Sequence, residues 1–209
     1  MGVKEPLELV NECDGFVWPA SDRECRRFVV AWMEDLNVSL PLCENRRVAV
    51  QAGGNVGTWP LALADEFDTV YTFEPDPLNF YCLARNCANP NIIKFQAALG
   101  NERGLVGMHT DPRNVGAHYI EGSGRIPIMR IDDLGLEVCD FICLDIEGYE
   151  MEALKGAHET LLRHHPVIHL EDKGLSEKYG TKKEEVVDML VNLYGYTVRA
   201  RVHRDVILS

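Results

Sequence analysis

Phe141-Ile142-Cys143-Leu144-Asp145-Ile146-Glu147-Gly148-Tyr149-Glu150 joins a short apolar run to an acidic, glycine-containing turn. A continuous run of this length bounded by turn residues suits a strand buried on both faces. Two stretches upstream share the build. Arg47-Val48-Ala49-Val50-Gln51 runs into Gly53-Gly54-Asn55-Val56-Gly57, and Thr69-Val70-Tyr71-Thr72-Phe73 ends on Glu74-Pro75-Asp76. Three buried strands that each end in polar or glycine-rich chemistry describe the carboxyl edge of an open α/β sheet, where such sheets hold ligands.

Outward from these runs, the pattern predicts strands at Val48–Ala52, Thr69–Phe73, Ile92–Gln96, Phe141–Asp145 and Val167–Glu171. Helices are expected at Val56–Asp65, Pro77–Asn86, Tyr149–Arg163 and Lys182–Leu193. In the third of these, Met151, Leu154, Ala157, Leu161 and Leu162 form an apolar stripe, and Pro166 ends it. The alternation is that of a mostly parallel sheet covered by helices on both faces. Period-two alternation over Tyr196–Val202 and Asp205–Leu208 predicts a closing antiparallel hairpin. Between Gly100 and Asp133 glycines punctuate short β-like pieces, a stretch long enough to serve as a lid or binding loop. Ahead of the sheet, Cys25, Phe28, Val29, Trp32, Met33 and Leu36 recur at helical spacing behind a cap at Ser21 or Asp22. Residues 1–40 are therefore expected to be an N-terminal helical extension, either a cover or a homodimer contact, on a domain of residues 41–209.

The 209 residues suffice for one full core, and 26% charged residues give no sign of disorder. A formal net charge of −12 disfavours a phosphate backbone as partner and suits a neutral or cationic ligand better. Arg23, Arg26 and Arg27 are close enough in sequence to form a local basic patch, which keeps nucleic acid open as a partner at a lowered expectation. Seven cysteines at irregular spacing contain no C-x-x-C pair, which points to reduced thiols in a cytoplasmic protein rather than a disulfide framework or zinc knuckle. No apolar stretch approaches a membrane span, and the first residues lack the pattern of a signal peptide. Gly2 suggests myristoylation, but Pro6 and the missing hydroxyl residue argue against it.

Glycines between a strand and a helix let backbone approach a ligand closely, and the helix start adds unpaired N–H groups. A carboxylate about twenty residues further on, at the end of the next strand, can accept both hydroxyls of a ribose. Glu74 stands there, and Asp76 is placed to cap the following helix.

Gln51-Ala52-Gly53-Gly54-Asn55-Val56-Gly57, Tyr71-Thr72-Phe73-Glu74-Pro75-Asp76-Pro77-Leu78-Asn79, Ala97-Ala98-Leu99-Gly100 and the Leu144–Ala157 segment resemble, in order, the FkbM-type methyltransferases. The resemblance runs from about Val48 to Glu171. It implies a Rossmann-like class I methyltransferase fold, a seven-stranded mostly parallel sheet with a C-terminal antiparallel hairpin and helices on both faces. It also implies an S-adenosylmethionine-dependent enzyme that methylates hydroxyl groups. Carried over by residue, Gly53, Asn55 and Gly57 would surround the methionine portion of the cofactor. Glu74 would take the ribose, with Pro75, Asp76, Ala97 and Ala98 about the adenine. Asp145 and Glu147 would face the reacting centre, beside Glu171. The family usually has Asp where this chain has Gln51 in the cofactor site, which keeps hydrogen bonding and loses a charge that favours a cationic ligand.

A hydroxyl acceptor benefits from a general base, and Asp145, Glu147, His169 and Glu171 lie at the correct edge. Asp145 or Glu171 is the expected base, and a buried, satisfied imidazole is the expected state of His169. Asp145, Glu147, Glu171 and Asp172 together offer enough oxygen for magnesium, or equally for direct hydrogen bonds to a sugar. His109, Asp111, Asn114 and His118 belong either to the acceptor site or to ordinary surface loops. The expected acceptor is a glycan or other small molecule, whose identity the residues do not specify. Among competing functions, a base-methylating enzyme would carry an Asn- or Asp-Pro-Pro-aromatic turn where Asp-Ile-Glu-Gly stands. A nicotinamide oxidoreductase would need different glycine spacing and a second nucleotide-binding half. A non-catalytic methyltransferase-like binding module is the third alternative, and Gln51 is the residue that favours it.

Overall fold

The computed structural model describes residues 9–13, 15–29, 34–111 and 113–209. Gly2, Pro6, Trp32 and Met33, which entered the reading above, lie outside them. A hairpin comes first, β1 (Val10–Cys13) and β2 (Phe16–Pro19), then two short helices, α1 (Cys25–Val29) and α2 (Leu36–Ser39). The expected helical extension thus begins with a hairpin, and helix follows at Cys25–Val29 and Leu36–Ser39, with residues 30–33 between them outside the described residues. The carboxylate of Asp22 does cap α1, accepting from the N–H groups of Cys25 and Arg26 at 3.2 and 3.1 Å.

The α/β alternation follows: β3 (Val48–Ala52), α3 (Thr58–Ala64), β4 (Thr69–Phe73), α4 (Pro77–Asn86) and β5 (Ile92–Phe95). Short strands fill the glycine-punctuated stretch: β6 (Ala98–Leu99), β7 (Gly104–Val106), β8 (Met108–His109), β9 (Tyr119–Ile120) and β10 (Ile126–Met129). The chain closes with β11 (Phe141–Leu144), α5 (Glu150–Lys155), α6 (His158–His164), β12 (Val167–Glu171), α7 (Glu185–Tyr194), β13 (Val198–Val202) and β14 (Asp205–Leu208). Seven strands make the central sheet in the order β13-β14-β12-β11-β3-β4-β5. Its five-strand body from β12 to β5 is parallel, and β14 and β13 add antiparallel at the end.

Because successive residues of a strand face opposite sides, each strand feeds two cores. Val50, Ala52, Ile142, Leu144, Ile168 and Leu170 meet Leu154, Leu161 and Leu190 of α5, α6 and α7 on one face. Ala49, Phe141, Cys143, Val167 and Ile207 meet Leu63 of α3 and Leu83 of α4 on the other. Each fully buried leucine contributes about 1.5–3 kcal/mol over an exposed one. The expected helix Tyr149–Arg163 is broken into α5 and α6 near Gly156, where a Cβ would collide with the carbonyl of Gly100. The N-terminal hairpin covers α4: Trp18 packs with Val56 and Cys82, and the Asn86 amide both accepts from Val17 N–H and donates to its carbonyl. Parallel strands all end at one edge, so the three polar turns converge there.

Candidate active site

The first turn, after β3, is held by backbone. The N–H groups of Gly53 and Gly54 both donate to the carbonyl of Phe73, at 3.1 and 2.9 Å, which bends the loop over the end of β4. Gly53 has φ +83°, and a Cβ there would overlap the carbonyl of Asp145, so the loop closes against β11 only with glycine. Gln51 is buried beneath the loop. Its Oε1 accepts from the Thr72 hydroxyl at 2.6 Å and its Nε2 donates to the Ala52 carbonyl at 3.1 Å.

The second turn, after β4, carries Glu74, which is 5% exposed. One carboxylate oxygen accepts from Asn55 N–H at 2.7 Å and the other from Asp76 N–H at 2.8 Å. Burial pushes its pKa up to about 8 despite these donors. Asp76 caps α4, with one oxygen accepting from Leu78 and Asn79 N–H, each at 2.8 Å. His118 approaches its other oxygen at 3.4 Å. Burial works against the charge on Asp76, but the His118 ring and the helix N–H groups outweigh it and hold the carboxyl below its ordinary range.

The third turn, after β11, brings the acids together. Asp145, Glu147 and Glu171 present oxygens within 4.8 Å of one another, and they are the one such group among the described residues. Lys173 sits on them, paired with Glu171 and 3.4 Å from Glu147. Asp145 opens onto the cavity yet is surrounded by protein. Loss of hydration raises its pKa, and Lys173 opposes the rise. Glu171 is raised well above its ordinary value, first by burial and then by the charges of Asp145 and Glu147. Glu147 is raised by burial and by Asp145. The turn is tight: Glu147 has φ +56° and Gly148 φ +101°. Glu150 staples it, one oxygen accepting from Ile146 and Gly148 N–H at 3.1 and 3.2 Å. Glu150→Ala is expected to cost about 1–3 kcal/mol of stability, because two N–H groups lose their acceptor. Chemical denaturation of the variant checks this, and an unchanged midpoint and slope would show that the turn holds without it.

The three turns wall a cavity of about 270 Å³. Gln51, Gly53, Asn55, Glu74, Pro75, Ala97, Ala98, Asp145, Glu147 and Glu171, all named from sequence, line it. Gly57 and Asp76 stand behind the wall as the caps of α3 and α4. Asp172 departs from the acid group: it alternates to the other side of its neighbour and pairs with Arg201 at 2.6 Å. His169 is buried between Ser39 Oγ at 3.0 Å and Asp205 Oδ2 at 2.8 Å, with Trp59 edge-on, and stays out of the cavity wall. Of the loop residues, Asn114 and His118 line the cavity, while His109 stacks on Tyr119 and Asp111 accepts from Arg113 and Asn114 N–H.

Cys25, Trp59, Asn79, Tyr149, Lys173 and Arg204 also line it and were not read from sequence. Lys173 had a signal, standing two residues beyond Glu171 on the same side. Cys25 had none, because α1 reaches the cavity through tertiary packing. Burial pushes the Cys25 thiol up to about 12, which leaves it unreactive.

Residues 51–198 match the methyltransferase FkbM domain family. The fold is similar to that of methyltransferase FkbM from Methylobacillus flagellatus KT, with a TM-score of 0.55 and 20% identity over 78% of this chain and 43% of that one. Trm5b from Pyrococcus abyssi has a TM-score of 0.49 and 16% identity, covering 95% of this chain and 53% of that one. Precorrin-6y C5,15-methyltransferase from Geobacter metallireducens GS-15 has the same TM-score and identity, covering 82% and 83%. The chain thus spans about half the length of the first two. No curated protein matches it in sequence. No helix among the described residues is long and apolar enough to cross a membrane.

Proposed function

The chain belongs to the methyltransferase FkbM domain family, and from that premise we propose that it moves a methyl group from S-adenosylmethionine to a hydroxyl of a sugar or other small molecule. The observation that carries this is Glu74, a buried carboxylate fixed by two backbone N–H groups at the carboxyl edge of the sheet. Each carboxylate oxygen accepts more than one hydrogen bond, so both retain capacity for a ribose hydroxyl. The acids at the third turn supply negative potential suited to a sulfonium. The donor set therefore fits the cofactor.

When bound, S-adenosylmethionine supplies an electrophilic methyl group. The chain's own residues hold the reactants and manage one proton. Glu74 anchors the nucleoside, and the Gly53–Asn55 backbone brings the loop close. Alignment in such a site is worth effective molarities on the order of 10⁵ M or more. Asp145 and Glu171 are hydrogen-bonded to each other, and the ionised member of the pair takes the hydroxyl proton of the acceptor. Lys173 favours that ionised member, and Glu147 completes the charge balance. Because Lys173 already provides positive charge there, we assign no metal. In this reading residues 1–40 are an N-terminal extension on a methyltransferase domain of residues 41–209. The free thiols suit the reducing cytoplasm.

Calorimetry with S-adenosylmethionine, S-adenosylhomocysteine and NAD tests the assignment. Saturable binding of the first two is expected, and binding of NAD alone would overturn it. A screen of glycans and hydroxylated small molecules with mass detection then identifies the acceptor. Binding is also expected to depend on pH. Glu74 is neutral in the free protein below about pH 8, whereas a ribose donating two hydroxyls favours the ionised form. Affinity therefore rises with pH, by up to about tenfold per unit, until it levels above the free-state pKa. Titrations in buffers of different ionisation enthalpy should show a proton released below pH 8.

A further inference from the structure

We propose that Asn79 reads the 6-amino group of the cofactor's adenine and so determines which nucleoside the site accepts; this rests on the S-adenosylmethionine reading above. Asn79 lies in the first turn of α4, is 2% exposed, and forms part of the cavity wall together with Pro75 and Val115. Its Nδ2 donates to the carbonyl of Val115 at 2.9 Å. A carbonyl only accepts, so this contact fixes which end of the amide is nitrogen and turns Oδ1 away from Val115. Oδ1 has no hydrogen-bond partner among the described residues. A buried amide oxygen without a donor is costly, and native proteins rarely leave one so. At a cavity wall the missing donor is supplied by what fills the cavity.

The position indicates which donor. Pro75 follows the ribose-binding Glu74, and Ala97 and Ala98 line the same cavity. The adenine 6-amino group is an N–H donor, whereas a 6-oxo purine presents an acceptor at that atom and would repel Oδ1. Among the described residues, two other side chains at the cavity have unpartnered atoms, and each is less suited. His118 Nδ1 faces Asp76 Oδ2 at 3.4 Å and so has a charged neighbour. Asn55 is only half-buried and already places its Nδ2 on Cys25 Sγ at 3.3 Å.

The test is calorimetry of S-adenosylhomocysteine and its 6-oxo analogue against the full chain, Asn79→Ala and Asn79→Asp, with thermal unfolding of each. The parent protein is expected to prefer the adenosine compound by about tenfold to a hundredfold, the span set by one buried hydrogen bond. Asn79→Ala should bind the two within about threefold of each other. Asn79→Asp keeps an acceptor, so it should retain the preference while unfolding at lower temperature, having lost the donor to Val115. A folded Asn79→Ala that discriminates as well as the parent would overturn the inference and leave the cofactor reading standing. So would a folded Asn79→Asp with no preference, which decides the matter if the alanine variant does not fold. A parent protein that binds neither compound would remove the cofactor reading and this inference together.

Discussion

Glu74→Ala is expected to weaken S-adenosylmethionine binding by about a hundredfold or more while leaving the protein folded. Each hydrogen bond from a ribose hydroxyl to an ionised carboxylate contributes roughly 1.5–3 kcal/mol, and Glu74 is placed to accept two. The substitution also leaves the N–H groups of Asn55 and Asp76 without the acceptor they share. That loosens the glycine loop in the same stroke. Stability should change less than binding, because burial holds the Glu74 pKa up to about 8, so the ionised form is a burden on the empty protein near neutral pH. The sign follows from the raised value: stability from this group is fully present below its unfolded pKa and is lost as pH rises toward 8. Alanine removes that loss along with the two hydrogen bonds. Glutamine is no conservative control, since its NH₂ group would face one of two backbone donors. Calorimetry of the alanine variant decides. A dissociation constant within threefold of the parent would end the role of Glu74 as the nucleoside anchor, and with it the observation on which the enzyme assignment rests.

The parallel body of the sheet was legible because its strands are buried on both faces and read as apolar runs. Val48–Ala52, Thr69–Phe73 and Val167–Glu171 have the same ends in sequence and structure. Helix α4 was legible for a different reason, since Asp76 caps it and Pro77 occupies its first position. What escaped depends on partners distant in the chain. Phe16–Pro19 is a strand whose cover is α4, through Trp18 and the Asn86 amide, and no local periodicity announces that. Gly156 ends α5, its carbonyl accepting from Asp132 N–H at 2.9 Å, at a place where the carbonyl of Gly100 leaves no room for a Cβ. The site divides along the same line. Glu74, Asp145 and Glu171 stand at strand ends, where topology alone brings them to one edge. Asn79 and Cys25 reach the cavity from a helix face and from the N-terminal segment, while Gly57 caps α3 behind the cavity wall.

Glu171→Ala is expected to lower turnover by about 10²–10⁴-fold, the span of a lost general base, with the S-adenosylmethionine dissociation constant within threefold of the parent. Glu171 ends β12 beside Asp145 and is the closest partner of Lys173. Removing it changes its neighbours in a predictable direction. Asp145 loses a hydrogen-bond partner, while Lys173 is left to Asp145 and Glu147 alone among the three acids. The hydrogen bond from Glu171 holds the Asp145 carboxyl down, so residual activity through Asp145 should show the acidic limb of the rate profile at higher pH than in the parent. A merely structural role would reduce the amount of active enzyme and leave that limb where it was. Asp145→Asn is expected to lose a comparable factor. If the two act as one proton-accepting unit, the double variant loses little more than either single one. Fully multiplicative losses would separate them, and unchanged turnover in Glu171→Ala would remove Glu171 from the chemistry and leave Asp145 to accept the proton alone.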